Sequence, residues 1–130
     1  NPSKKINIRI GKKEKIKFKV FKDFIIKGKD IKDKSIFGFV GRVHEDKGIF
    51  MLLRAFEKHL TDFPDDKLII IGPIETPLEN LKILYKYPKS ILHIGFTQCI
   101  YLYYPFFSCL VLPSVSNHLH YSTYPNRCQV

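Results

Sequence analysis

Two cations lie in a short segment that has a glycine at each end, between an apolar run and a helical pattern. The segment is GFVGRVHEDKG, residues 38–48, and its cations are Arg42 and Lys47. A helix that begins directly after such a loop presents free backbone N–H groups and a partial positive charge to an anion. Arginine adds a planar fork of donors, and lysine adds a mobile point charge. The spacing therefore predicts a phosphate site. His44 can add a donor to it or be a solvent-exposed loop residue.

The elements around this loop alternate between apolar runs and amphipathic helical patterns. Helical spacing of apolar residues follows Gly48 and ends before Pro64, and shorter helical patterns cover residues 78–85 and 100–106. Continuous apolar runs are typical of strands that are covered on both faces. They occupy residues 36–40, 67–72, 90–95 and 109–113. The order βαβαβαβ predicts an α/β fold with a doubly wound parallel sheet.

Small residues follow each predicted strand. They are Gly41, Gly72, Gly95 and Ser114. Ligands of open parallel sheets bind outside the carboxyl ends of the strands. The predicted phosphate loop therefore lies at the edge of the sheet where a ligand is expected.

Five blocks of the sequence carry a resemblance to a known family. The blocks are GFVGRVHEDKGI, LLRAF, KLIIIGP, HIGF and LVLPS. In this order and at these spacings they resemble the first half of the C-terminal, nucleotide-sugar-binding domain of family 4 glycosyltransferases, over about residues 35–116. The resemblance implies a Rossmann-like parallel sheet, as a truncated half of a two-domain retaining enzyme. It also implies sugar transfer from a nucleotide sugar to a saccharide or lipid-linked acceptor, in surface polysaccharide or glycoconjugate synthesis.

The resemblance gives the two loop cations a catalytic role. It assigns Arg42 and Lys47 to the diphosphate of the donor, with Gly41 allowing the backbone to come close. The departing nucleoside diphosphate gains charge during glycosyl transfer, so fixed cations stabilise the transition state more than the ground state. We therefore expect that neither a metal ion nor a cofactor other than the donor substrate is needed.

The turn after the third predicted strand is the second part of the implied site. The resemblance implies that Gly95, Phe96 and Thr97 hold the nucleotide base through their backbone. The residues alone leave open that Gly95 is an ordinary strand-end glycine. Gly72 is expected to serve as a tight turn.

Both ends of the chain depart from the family pattern. Asn117 and His118 stand where the family has Glu and Gly, and no acidic residue follows Glu79, so the carboxylate pair that contacts the ribose and the sugar is missing. The chain opens at Asn1 without a Met, and the acceptor-binding domain is expected to be missing. Because half a donor site cannot orient an acceptor or exclude water, we expect this chain alone to be inactive.

Positive charge is concentrated at the start of the chain. Residues 1–34 hold 13 Lys or Arg against 4 Asp or Glu, and the whole chain has a net charge of +10. We therefore divide the chain into a Lys-rich linker or N-terminal segment at 1–34, the nucleotide-sugar-binding part at 35–116 and an atypical tail at 117–130. Alternating apolar residues around GKKEK predict a hairpin, whereas the family resemblance implies a loop and a helix.

The basic segment supports a second interpretation of function. The chain can be a small basic module without catalysis, whose first residues bind nucleic acid or an anionic membrane, or the segment can be a solvated insertion. Sequence-specific nucleic-acid binding is not expected. Of the two macromolecular partners, a membrane surface is favoured because the family's acceptors are often lipid-linked.

The remaining features of the sequence indicate a cytoplasmic protein, either free or bound peripherally at the inner face of the membrane. No apolar stretch is long enough to span a bilayer and no secretory signal is visible. The three cysteines are odd in number, so we expect reduced thiols. Without a further amphipathic helix, we expect the aromatic residues at 101–107 to lie near an uncovered part of the sheet.

Overall fold

A parallel sheet forms the centre of the molecule. The computed structural model describes residues 10–113 and the backbone of residues 127–128. Its strands are β1 (Ile36–Val40), β2 (Lys67–Ile71), β3 (Ile91–Gly95), β4 (Cys109–Val111) and β5 (Arg127–Cys128). They lie in the order β3-β2-β1-β4-β5, and every neighbouring pair is parallel. The predicted α/β, Rossmann-like sheet is confirmed, as are its first four strands; β5 was not predicted.

Helices and short 3-10 turns connect the strands. The helices are α1 (Lys12–Ile26), α2 (Ile49–Asp62) and α3 (Lys82–Lys86). The 3-10 turns are Ile31–Asp33, Glu45–Lys47, Leu78–Leu81, Ile100–Leu102 and Tyr104–Phe106. The predicted helix after Gly48 is confirmed, and the helical pattern at 78–85 forms a 3-10 turn followed by α3. The pattern at 100–106 forms two 3-10 turns, since Pro105 lacks the N–H that a continuous helix would use.

Helix α1 replaces the hairpin that the alternating apolar residues predicted. The hairpin interpretation is wrong for residues 12–26, and the helix implied by the family resemblance is confirmed there. Phe21 and Ile25 of α1 are buried, whereas Ile16 and Val20 are exposed. The alternation spans only a few residues, while spacing of three and four residues places Phe18, Phe21 and Ile25 on one helix face. The first half of the predicted hairpin lies largely outside the described residues.

Two apolar layers cover the two faces of the sheet. On one face α2 and α3 pack against alternate residues of the strands, including Phe39, Leu68 and Ile70. On the other face α1 and the turns after β3 pack against Ile69 and Leu110. Burial on both sides explains why the strand sequences are continuously apolar rather than alternating.

Aromatic side chains fill the layer under α1. Phe21 lies edge-on to Tyr103 and Phe107, with ring centroids 4.9 and 6.3 Å away. Gly38 makes room for this layer, since a Cβ there would overlap the Phe107 ring. The expectation of an uncovered aromatic region is therefore wrong for Tyr103 and Phe107, which α1 helps to bury, whereas Tyr101 remains 42% exposed.

The structure also revises the cysteine prediction. Cys109 in β4 is disulfide-bonded, so the expectation of three reduced thiols is wrong at this residue. Among the described residues Cys99 is a free, buried thiol.

Within the described part of the chain, no helix has both the length and the apolar composition of a membrane span.

Close backbone contact joins the carboxyl ends of β1, β2 and β3. Gly72 has φ 146°, and a Cβ there would overlap the carbonyl oxygen of Gly41. The Gly72 N–H donates to the Gly95 carbonyl at 2.9 Å, and the Gly41 N–H donates to the Ile71 carbonyl at 2.9 Å. The predicted turn at Gly72 is thus also a point where two strand ends approach more closely than a side chain permits.

We predict that Gly72→Ala lowers the free energy of unfolding by about 2–4 kcal/mol, because it adds backbone strain and forces the strand ends apart. Gly95→Ala is the matched control. Its φ of 87° is also positive, but a Cβ there meets nothing within 4 Å, so only the conformational cost of about 1–2 kcal/mol is expected. Urea unfolding of both variants measures the difference. Equal losses would contradict the close-approach explanation.

The buried hydroxyl of Tyr103 is expected to make the free energy of unfolding change with pH in the alkaline range. Tyr103 is fully buried, and its hydroxyl has no hydrogen-bond partner among the described residues. Burial, helped by the nearby Glu14 carboxylate and Cys99, raises the pKa of Tyr103 to about 12. An unfolded tyrosine has a pKa near 10. Below that pH both states keep the proton, whereas between about pH 10 and 12 only the unfolded state loses it.

We therefore predict that the free energy of unfolding falls above about pH 10, with a contribution from Tyr103 of about 1.4 kcal/mol per pH unit. Tyr103→Phe should remove this contribution and leave stability at pH 7 equal or higher by about 1 kcal/mol, because no buried hydroxyl remains unsatisfied. Tyr85→Phe, at a residue 56% exposed, is the control. Denaturant unfolding at pH 7 and pH 11 tests this, and parallel pH dependence in wild type and Tyr103→Phe would contradict it.

Candidate functional site

The predicted phosphate loop follows β1 and has a defined backbone path. Val43 in this loop is fully buried and pairs with Ile74, in the segment after β2, through a parallel β-bridge. Its N–H donates to the Pro73 carbonyl at 2.8 Å. The chain then forms the 3-10 turn Glu45–Lys47, which leads to α2. The segments that follow β1 and β2 are therefore fixed against each other.

Gly48 sets the start of α2 beside the end of β4. It has φ 75°, and a Cβ there would overlap the carbonyl oxygen of Pro113. Gly48 provides no side chain to cap α2, so the first N–H groups of the helix have no capping side chain. Strands β1 and β4 are neighbours, but α2 leads from β1 to β2 on the opposite side of β1. The loop thus lies where the strand order reverses, the usual ligand position in open α/β sheets.

Arg42 lies between two carboxylates. Its Nη1 is 3.0 Å from Glu75 Oε1, and its Nη2 is 3.6 Å from Asp46 Oδ2. The guanidinium side chain is 47% exposed. Lys47 is exposed on the same turn. The loop therefore combines its two cations with acidic side chains, and an incoming anion has to compete with them for Arg42.

His44 organises the acidic side of the loop. An unprotonated Nδ1 accepts a hydrogen bond from the Asp46 N–H at 3.3 Å, whereas a protonated Nδ1 donates to Asp46 Oδ1 at 2.8 Å. The side-chain hydrogen bond between the His44 ring and the Asp46 carboxylate is the main reason that the pKa of Asp46 lies below its usual value, and the charges of Arg42 and Lys47 lower it further. Asp46 therefore stays ionised beside Arg42 at neutral pH. The predicted alternatives for His44 are thus joined by a third role, as the cap of the turn.

The second predicted part of the site, the turn after β3, is bound to α1. The Thr97 hydroxyl donates to the Glu14 carboxylate and accepts a hydrogen bond from the Cys99 N–H at 3.0 Å. Lys17 Nζ donates to the Phe96 carbonyl at 2.8 Å. The Phe96 side chain is 61% exposed and Thr97 is buried. Two residues of the Lys-rich segment therefore fix this turn.

The structure places all the predicted site residues along one edge of the sheet, in two groups. Gly41, Arg42 and Lys47 follow β1, whereas the turn at 95–97 follows β3, and β2 lies between the two strands. Their assignment to a nucleotide sugar stays a prediction. No group of three His, Cys, Asp or Glu that could hold a metal ion occurs within residues 10–113 and 127–128.

Sequence reasoning missed the partners of these residues. Glu75 binds Arg42, and Glu14 and Lys17 bind the 95–97 turn. A signal for Glu75 was present, because it follows directly after the segment that ends β2, and parallel neighbours end at the same edge. The contacts of Glu14 and Lys17 could be predicted only with the direction of α1 known. The sequence left a hairpin and a helix open for that segment and gave no direction.

The family of the chain follows from a comparison of its sequence with known families. The family described as "Glycosyl transferases group 1" matches residues 21–119, which is most of the chain. The chain belongs to the group 1 glycosyl transferases. The glycosyltransferase resemblance identified from the five sequence blocks is confirmed. The match begins inside α1, so part of the Lys-rich segment belongs to the region that the family shares.

Comparison with solved structures gives a partial match. One of the similar structures is the crystal structure of AviGT4, a glycosyltransferase involved in avilamycin A biosynthesis, with a TM-score of 0.46 and 21% sequence identity. The match covers 60% of this chain and 22% of AviGT4, so this group 1 glycosyl transferase chain spans about a fifth of the length of that protein. No curated protein matches the chain.

Proposed function

We propose that this chain forms the diphosphate-binding half of the donor site of a nucleotide-sugar-dependent glycosyltransferase. The observation that carries the proposal is the loop between β1 and α2, which presents Arg42 and Lys47 beside an uncapped helix start in a glycosyl transferase family member. The complete enzyme would transfer a sugar to a saccharide or lipid-linked acceptor, in surface polysaccharide or glycoconjugate synthesis. The described residues contribute to binding and to leaving-group stabilisation.

The chemistry of the loop suits a departing nucleoside diphosphate. As the bond to the sugar breaks, negative charge accumulates on the diphosphate, and donors that are already oriented stabilise that charge without further reorganisation. Arg42 can offer two parallel N–H groups to phosphate oxygens, while Lys47 follows the charge as a flexible ammonium. Gly41, which has no side chain, leaves room for the ligand beside them, while its own N–H is donated to the Ile71 carbonyl.

The carboxylates around Arg42 give this site a resting state. Glu75 and Asp46 orient the guanidinium before any ligand arrives. Exposed ion pairs contribute only about 0–1 kcal/mol, so a diphosphate that makes two charge-assisted hydrogen bonds can displace one carboxylate. We propose that Glu75 is the group displaced, because Asp46 is also held by His44.

The turn at 95–97 would contact the base of the donor. Lys17 already binds the Phe96 carbonyl. Because this acceptor is occupied, we propose that the turn recognises the base through its backbone N–H groups. Residues 80–130 contain no Asp or Glu, so this part of the protein supplies no carboxylate to the ribose or the transferring sugar. We therefore propose that this chain alone binds nucleotide weakly and does not catalyse transfer.

We predict that the chain binds uridine or guanosine diphosphate in the high-micromolar to millimolar range. Arg42→Ala should weaken binding roughly 10- to 100-fold through the loss of a two-donor contact, and Lys47→Ala should weaken it less. NMR titration or calorimetry measures the affinity. Arg54→Ala, which removes an exposed cation from α2, is the control for net charge. Unchanged binding in both loop variants would refute the assignment of the loop to the diphosphate.

The competition between carboxylate and phosphate leads to an opposite prediction for Glu75. Glu75→Gln should strengthen diphosphate binding about two- to fivefold, because it removes an exposed ion pair and one negative charge beside the ligand. Glu79→Gln removes the same charge from the 3-10 turn Leu78–Leu81 and should have little effect. The same titrations decide the matter. A weaker affinity in Glu75→Gln would mean that Glu75 positions Arg42 for binding rather than competing with the ligand.

A further inference from the structure

The outer face of α1 combines lysines with exposed aliphatic side chains. The residues that form this outer face are all exposed. We define this cationic face of α1 as Lys12, Lys13, Lys15, Ile16, Lys19, Val20, Lys22, Asp23 and Ile26, together with the C-cap residue Lys27. It holds six lysines and one aspartate, a net charge of +5. The aliphatic members Ile16, Val20 and Ile26 are 55%, 51% and 63% exposed.

The inner face of α1 holds the helix in place and leaves the cationic face open. Phe21 and Ile25 are buried against the sheet. Glu14 and Lys17 also turn inward, where they bind the 95–97 turn. One acidic side chain of α1 is thus withdrawn from the outer face by its contact with Thr97, which leaves Asp23 as that face's single carboxylate among the described residues.

That remaining carboxylate does not neutralise the surface. Asp23 pairs with Lys19 at 3.2 Å, and both side chains are largely exposed. An exposed pair of this kind is weak and screened by salt. The other lysines of the cationic face therefore present a surface of one sign, and its complement is a surface of negative charge.

We propose that the cationic face of α1 binds the surface of an anionic lipid bilayer. Lysines attract anionic headgroups, while aliphatic side chains between them can enter the boundary between headgroups and acyl chains. A nucleic-acid backbone would use the lysines alone. It has no place for Ile16 and Val20, and this face offers neither arginine nor an aromatic ring for stacking on bases. The exposed aliphatic residues are thus the feature that favours lipid.

The position of α1 would bring a bound membrane close to the candidate donor site. The first turns of the helix contact Phe96 and Thr97 at the carboxyl edge of the sheet. The cationic face starts at the same end of the helix. Lipid binding itself does not depend on the proposed donor site, because it needs neither a nucleotide nor Arg42.

Vesicle co-sedimentation of the full 130-residue chain tests the proposal. The chain should bind phosphatidylcholine vesicles that contain about one third phosphatidylglycerol, and should not bind pure phosphatidylcholine. Replacing Lys12, Lys15 and Lys19 together by Gln should weaken binding at least tenfold, since each lysine near such a surface contributes roughly fivefold. The matched control replaces the exposed Lys58, Lys82 and Lys89 by Gln, and should change binding less than twofold.

A second pair of variants separates lipid from other polyanions. Ile16→Ser with Val20→Ser should weaken vesicle binding several-fold at unchanged charge, whereas Met51→Ser with Leu78→Ser, at residues 40% and 59% exposed, should have no effect. Circular dichroism confirms that each variant is folded. The proposal is overturned if the chain does not bind anionic vesicles, or if the Ile16 and Val20 variant binds as wild type. It is also overturned if a single-stranded oligonucleotide at the same salt binds more tightly than the vesicles.

Discussion

The backbone contact between Gly72 and Gly41 is the constraint on which the candidate site depends. A side chain at Gly72 would overlap the Gly41 carbonyl, and Arg42 follows directly after that carbonyl. The segment after Gly72 then carries both Ile74, which pairs with Val43, and Glu75, which binds Arg42. The direction of the Arg42 side chain is therefore set by how closely two strand ends approach, and not by the loop alone.

The sequence predicted the elements that burial decides. The KLIII run of β2 is buried at every residue, and its continuous apolarity could be recognised without the structure. The apolar spacing of α2 was equally informative. The segment of α1 was ambiguous, because Ile16, Phe18 and Val20 satisfy a two-residue period locally. Only the position of the sheet shows that Phe21 and Ile25 need to be buried and that Ile16 does not.

The candidate site could be predicted in its positions but not in its contacts. The places of Arg42, Lys47 and Gly95 follow from the rule that parallel strands end at one edge. The partners of these residues are distant in sequence, with Glu75 33 positions from Arg42 and Lys17 79 positions from Phe96. Such contacts depend on strand order and on the direction of α1, which no local pattern carries. The sequence therefore drew attention to the two cations alone, whereas the structure shows a cluster of opposite charges in which Arg42 contacts Asp46 and Glu75.

This clustering of opposite charges has a physical consequence for a donor site. Two cations left alone near a helix start would bind any small anion, and product would leave slowly. Under the proposed function, carboxylates that compete with phosphate oxygens for Arg42 would lower the affinity for the diphosphate, before and after the reaction alike. They can also replace the diphosphate as it departs, so the guanidinium is never left without a partner. Under the proposed function, Asp46, held by His44, would keep Arg42 oriented, while Glu75, from the segment after β2, would exchange with the ligand.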